Sequence, residues 1–337
     1  MNILVTGGTG YIGSHTVLEL LENDHEVVVI DNLSNSSTES IKRVEKLTNK
    51  KVPVHIFDIS DKAALQKVFT DNHFDAVIHF AGFKAVDESV ADPLLYYRNN
   101  LFSTIVLCEV MAEHNVRQLV FSSSCTVYGS PKNVPVTEKS DIHATNPYGQ
   151  TKVISEQILQ DLALTRTGWQ ISLLRYFNPV GAHKSGDIGE DPNGTPNNLL
   201  PFVAQVVIGR RPIVKVFGND YDTVDGTGVR DYIHVVDLAK GHLAALLHPP
   251  KADTAETYNL GYGKGYSVLQ VIAAFEKASG KKVPYEIVGR RPGDIAACFA
   301  DPAKSQRGLH WQAELTLADA CADTWRWQSQ NPNGYAP

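Results

Sequence analysis

Asn2-Ile3-Leu4-Val5-Thr6-Gly7-Gly8-Thr9-Gly10-Tyr11-Ile12-Gly13 opens the chain and decides its fold. A strand-like aliphatic run at 2–6 leads directly into glycines at 7, 10 and 13, and an amphipathic stretch follows at 12–23. Strand, glycine turn and helix in that order form a phosphate-binding unit. Gly7 permits the tight turn, Gly10 lets a pyrophosphate approach the backbone, and Gly13 lets the helix lie close to the strand. The helix N-terminus adds unpaired N–H groups and the positive end of its dipole. Loops collect glycines in any case; the position between a first strand and a first helix gives these three their meaning.

The same grain continues outward. Further strand-like runs lie at 26–30, 52–57, 76–80, 118–122 and 170–175, and amphipathic helical stretches at 61–72, 93–114 and 148–167. Runs such as Val27-Val28-Val29-Ile30 are continuously apolar, as strands covered on both faces are. Alternating strands and helices predict an α/β fold, a doubly wound parallel sheet of Rossmann type. Residues 1–177 form its dinucleotide-binding domain, with later segments returning to it. Residues 178–337 form a smaller α/β substrate-binding region, entered through a Gly-, Pro- and Asn-rich loop at 181–198. The last six residues, 332–337, read as a frayed tail.

Asp31 ends the second strand, 18 residues after Gly13. A carboxylate there accepts from both adenosine ribose hydroxyls and repels a 2′-phosphate, so NAD is favoured over NADP. The bland reading is a solvated strand-end aspartate. Asp58, after the third strand, could face the adenine.

Tyr148-Gly149-Gln150-Thr151-Lys152 places a phenol and an ammonium four residues apart. With 13 tyrosines and 19 lysines chance supplies such pairs, and Tyr128 with Lys132 is a second. Pro147 before Tyr148 starts a helix, so Tyr148 and Lys152 share a face. Gly129 and Pro131 forbid a regular helix at Tyr128, which reads as a packed loop aromatic. Ser122-Ser123-Ser124 closes the fifth strand at the carboxyl edge, where such sheets bind ligands. Oxidising an alcohol needs a base, and free tyrosine at roughly pKa 10 is too weak an acid at neutral pH. Lys152 and a positive nicotinamide would bring Tyr148 down, while Ser124 holds the reacting hydroxyl.

Composition excludes several other classes. The chain has 337 residues, 43% hydrophobic and 20% charged, with a net charge of −6 that argues against a nucleic-acid partner. Cys108, Cys125, Cys298 and Cys321 show no zinc spacing, so no metal is expected. No apolar segment is long enough to span a bilayer and no signal peptide opens the chain. A cytoplasmic enzyme without membrane contact is expected.

With these residues in hand, the sequence resembles the extended short-chain dehydrogenases/reductases, and within them the UDP-hexose 4-epimerases. The similarity runs through residues 6–15, 79–86, 121–129, 148–152, 174–183, 196–201, 225–235, 258–261 and 290–294. It implies Tyr148 as base, Lys152 as its partner and Ser124 as the hydroxyl clamp. For NAD it implies Tyr11, Ile12, Asp31, Asn32, Asn35, Ser36, Asp58, Ile59, Phe80, Lys84, Asn99 and Phe177, beside the glycines. For a UDP-sugar it implies Lys84, Asn178, Asn198, Leu199, Phe217, Arg230, Arg291, Asp294 and Cys298. Arg230 and Arg291 suit a diphosphate, Phe217 the uracil, and Asp294 the uridine ribose. The implied activity interconverts UDP-glucose and UDP-galactose through a transient 4-keto sugar. A small residue at Cys298 extends it to the N-acetylated pair. A homodimer would pair the helices at 93–114 and 148–167. A dehydratase is disfavoured because Cys125 and Thr126, not acids, follow Ser124. The epimerase-like loops disfavour a UDP-glucuronate decarboxylase, and the Tyr148–Lys152 pair disfavours a non-catalytic NAD-sensing regulator.

Overall fold

In the first strand (β1, Asn2–Thr6) alternate residues face opposite ways, Ile3 and Val5 joining one apolar cluster and Leu4 a second. The same division recurs in the second strand, with Val27 and Val29 on one side and Val28 and Ile30 on the other. A sheet that is apolar on both faces must be covered on both, and each fully buried aliphatic side chain contributes about 1.5–3 kcal/mol. The computed structural model, which describes residues 1–291 and 293–336, supplies that cover.

The elements follow in order as α1 (Tyr11–Glu22), β2 (Glu26–Asp31), α2 (Glu39–Thr48), β3 (Val54–Ile56), α3 (Lys62–Asp71), β4 (Ala76–His79), α4 (Val86–Ala91) and α5 (Pro93–Glu113). Next come β5 (Gln118–Ser124), a 3-10 turn (Cys125–Tyr128), α6 (Pro147–Ala163), β6 (Gln170–Tyr176), β7 (Asn178–Val180), α7 (Leu199–Val207), β8 (Val214–Phe217) and β9 (Val229–His234). The chain closes with α8 (Val235–Leu247), β10 (Thr254–Leu260), β11 (Gly265–Ser267), α9 (Val268–Ser279), β12 (Tyr285–Val288), β13 (Ala297–Cys298), α10 (Ala303–Gly308) and α11 (Leu317–Gln330).

The main sheet has seven parallel strands in the order β10-β6-β5-β4-β1-β2-β3. Chain direction across it reverses between β1 and β4, and the crevice beyond their carboxyl ends is where such sheets bind ligands. β10 reaches this sheet from far downstream. A smaller region gathers β7, β9, β11 and β13 in one sheet and β8 with β12 in another, over its own core of Val203, Val216, Ile272 and Phe275.

Some local expectations are corrected. The polar run at 39–48 is helix α2, which anchors Ile41 and Val44 in the core. The sixth helix stops at Ala163 instead of 167, because Leu164–Thr167 turn and Arg166 takes a positive φ of 56°. The tail is tied down as far as Tyr335. Its amide donates to Asp191 at 2.7 Å, and its ring lies 5.1 Å from the Arg43 guanidinium. Pro337 lies outside the described residues, as does Pro292 of the 290–294 motif.

Candidate active site

The glycine loop is built by exclusion. Gly7 sits at φ +69°, and a Cβ on it would come within 2.8 Å of Ala81 N. A Cβ on Gly13 would strike Gly7 O at 2.2 Å. A Cβ on Gly8, which the sequence pattern did not single out, would come within 2.8 Å of Val29 Cγ1. A Cβ on Gly10 would press on Gly7 O at 3.3 Å, a milder conflict than at the other three. Among the described residues no side chain caps α1, whose N-cap is Gly10, so its leading amides at Tyr11 and Ile12 suit a phosphate.

Asp31 is buried and held by the chain itself. One oxygen accepts from Thr9 N at 3.1 Å, the other from Leu33 N and Ser36 Oγ, both at 2.9 Å. It is therefore no loosely solvated strand end. Asn32 donates to Asp58 at 3.0 Å, and Asp58 also accepts from Ser60 N and Oγ, fixing buried Ile59 beside it. Asn35 accepts from Asn193 N at 3.2 Å. These residues form one continuous rim from the glycine loop to the end of β3, and the cradle fits a dinucleotide. Tyr11 donates to Gly181 O at 2.6 Å and Phe80 packs on His242, extending the rim toward the second region. Lys84 lies 3.5 Å from Glu190, which also accepts from Asn198 at 2.8 Å, so the sequence-distant Lys84 and Asn198 meet on a carboxylate that sequence reasoning missed. Asn99 donates to Asn100.

At the carboxyl edge of β5 the reactive groups converge. Asn146 caps α6 by accepting from Gly149 N at 2.8 Å, and Pro147 takes the first turn. Tyr148 and Lys152 then fall on one helix face. Lys152 Nζ is buried, donates to Ser122 O at 2.7 Å, and lies 4.9 Å from the Phe121 ring and 6.0 Å from that of Tyr148. A Cβ on Gly82, next to the Ala81 that limits Gly7, would lie 4.0 Å from this ammonium, so the glycine loop and the Tyr–Lys pair line one cleft. Ser124 stands beside the Tyr148 phenol and favours its ionised form.

The ionisation of Tyr148 differs from the sequence expectation. Burial pushes the phenol up to about 12, with Ser124 opposing and Cys125 adding to the rise. Burial also drives Lys152 down to about 8, against the opposing charge of Glu156. Desolvation is the largest cause of the shift in both groups.

Across the cleft, Phe177 and Cys298 share a buried cluster with Val127, Tyr128 and Val136, and Cys125 packs against it. Asn178 opens β7, Leu199 opens α7, and Phe217 ends β8. The Arg291 guanidinium lies 4.6 Å from the Phe217 ring centroid and pairs with Asp294 at 3.1 Å. These three were expected to meet separate parts of a nucleotide; here they touch one another. Arg291 is half exposed and such a pair is worth little, so a diphosphate can exchange for the carboxylate. Arg230 donates to Val229 O and Ile295 O, both at 2.9 Å. Tyr128 is a fully packed aromatic, as its glycine and proline neighbours suggested. Thr126, Glu156 and Arg175 carry contacts that the sequence gave no reason to single out.

Comparison with known proteins places this architecture. Residues 3–261 match the model of the NAD dependent epimerase/dehydratase family. A UDP-glucose 4-epimerase of Bacillus subtilis (strain 168) is 60% identical over 335 residues, covering 99% of each chain. The crystal structure of UDP-glucose 4-epimerase from Bifidobacterium longum in complex with NAD+ and UDP superposes with a TM-score of 0.96 at 55% identity, over 99% of this chain and 100% of that one. A Stenotrophomonas maltophila UDP-glucose-4-epimerase with bound NAD and formylated UDP-arabinopyranose has the same TM-score at 48% identity, over 98% and 99%. This chain belongs to the NAD dependent epimerase/dehydratase family and, within it, to the UDP-glucose 4-epimerases.

Proposed function

We propose that this chain is an NAD-dependent UDP-hexose 4-epimerase, an isomerase that interconverts UDP-glucose and UDP-galactose. The observation that carries the reading is the approach of Ser124, Tyr148 and buried Lys152 beside a dinucleotide cradle. Bound NAD supplies a reversible hydride acceptor and a positive ring that favours phenolate. Tyr148 takes the proton of the sugar's 4-hydroxyl and later returns it. Ser124 donates to the same oxygen, and Lys152 keeps a positive charge behind the phenol. Arg230 and Arg291 hold the diphosphate, so the anchored nucleotide retains the 4-keto sugar while it presents its other face. The net redox change is zero.

Finer features belong to the same proposal. Residues 1–177 with later returning segments hold NAD, and 178–337 hold the UDP-sugar. The Cys298 wall leaves room for an acetamido group, so the N-acetylated hexose pair is also turned over. Leu94 and Phe102 on α5 are 74% and 51% exposed, and this apolar face supports a homodimer through α5 and α6. Four free cysteines fit a cytoplasmic setting. Among the described residues no helix is long and apolar enough to cross a membrane.

The test is direct. Purified protein given UDP-galactose should form UDP-glucose with no NAD added; an inert protein of demonstrated NAD content overturns the reading.

A further inference from the structure

Beneath the reactive groups lies a dry polar rung. Ser123, Arg175 and Asn259 are side by side on β5, β6 and β10. Glu156 stands above them on α6, one turn beyond Lys152 and two beyond Tyr148. Its carboxylate accepts from Ser123 Oγ at 2.5 Å and from Arg175 Nε and Nη2 at 2.9 and 2.5 Å. Arg175 Nη1 donates to Tyr128 Oη at 2.9 Å, and that hydroxyl donates to Asn259 Oδ1 at 2.7 Å. Asn259 Nδ2 donates in turn to Val136 O, which also receives Asp301 N, while Val136 N donates to Phe299 O. One chain of hydrogen bonds thus runs from the Tyr148–Lys152 helix to the 299–301 segment that directly follows Cys298.

An ion pair this dry is a weak source of stability. Its two side chains are 2% and 3% exposed, and apolar residues of similar volume often serve the fold as well. What apolar packing cannot supply is a fixed register between α6, the end of β5 and the 298–301 segment. A fully satisfied network does supply it. We propose that Glu156 and Arg175 are positioning residues, which set Tyr148 and Lys152 against Ser124 and hold the sugar-facing wall to the same rung. The proposal rests on Tyr148, Lys152 and Ser124 being the reacting groups.

The experiment compares wild type, Glu156→Leu/Arg175→Met and Tyr128→Phe in UDP-galactose turnover, melting temperature and NAD content. Removing both charges avoids leaving either one buried alone. The double variant is expected to melt near or above the wild type and keep its KM, with kcat down about tenfold or more. Tyr128→Phe, which breaks the chain at one hydroxyl, should lower kcat roughly threefold to tenfold at unchanged KM. A folded double variant or a Tyr128→Phe protein with kcat within about twofold of wild type, or a loss confined to KM, overturns the proposal. If the double variant does not fold, Tyr128→Phe decides by the same criterion. A wild type inert toward UDP-galactose overturns the epimerase reading and the positioning role with it. An active wild type with unimpaired variants overturns the positioning role alone.

Discussion

Thr126 occupies both acceptor sites of Ser124: its amide donates to Ser124 Oγ at 3.2 Å and its hydroxyl donates to the same oxygen at 3.0 Å. A serine hydroxyl has two lone pairs and one proton. With the lone pairs taken, the proton is what Ser124 has left to give, and in the proposed mechanism it goes to the sugar oxygen beside Tyr148. Thr126 therefore fixes the polarity of the clamp.

Thr126→Val keeps the amide and the side-chain shape but removes the hydroxyl. Losing one such bond costs about 1 kcal/mol, so kcat for UDP-galactose should fall roughly fivefold, and Thr126→Ser should restore it. Steady-state kinetics check this; a Val variant with native kcat contradicts the donor assignment of Ser124.

Asp31 has two tasks, and replacing it should disturb both. Asp31→Ser removes the acceptor for Thr9, Leu33 and Ser36 and the charge facing a 2′-phosphate. NAD affinity should fall while the preference for NAD over NADP shrinks by about tenfold or more. Titration of apo-protein with each cofactor measures it. Equal wild-type affinity for both would contradict the assignment.

Glu19 on α1 is buried against α8, and burial raises its carboxyl from 4.5 to about 7, with Lys240 opposing in part. A folded-state pKa above the unfolded one means that this stability is fully present below about pH 4.5 and is lost as pH rises through about 7. Glu19→Gln should therefore raise the melting temperature at pH 8 by roughly 2–4 °C and give no gain at pH 4.5. Thermal melts at the two pH values decide it, and an equal shift at both would refute the linkage.

Cys298 is buried on β13 against the cluster holding Phe177 and Tyr128. Cys298→Tyr should overpack this wall by about 1–3 kcal/mol and remove turnover of UDP-N-acetylgalactosamine while retaining UDP-galactose turnover. A wild type with no detectable activity on the N-acetylated sugar sinks the idea.

The parts of this fold legible in sequence were those written in local pattern. The 2–13 stretch, the continuous apolar strands and Pro147 before Tyr148 each state their own geometry. Helix α2 was missed because most of its residues are polar or charged, and Ile41, Val44 and Leu47 alone turn an apolar edge to the core. The Tyr148–Lys152 spacing was legible, but its electrostatics were not, since the burial that sets them arises from β4, β5 and α6 together. Glu156 and Arg175 are 19 residues apart and meet only because Ser123 and Arg175 are in register on neighbouring strands. Arg291 and Asp294 were read as two ligand contacts; their spacing also allows them to pair, as they do.

The central claim is that the C4 hydrogen leaves and returns as hydride within one closed site. The measurement is turnover of UDP-galactose deuterated at C4, in ordinary water with no NAD added, with Tyr148→Phe as control. The UDP-glucose formed should retain the deuterium at C4, and the control should be inert though folded. Loss of the label to solvent, or native turnover by Tyr148→Phe, would contradict it.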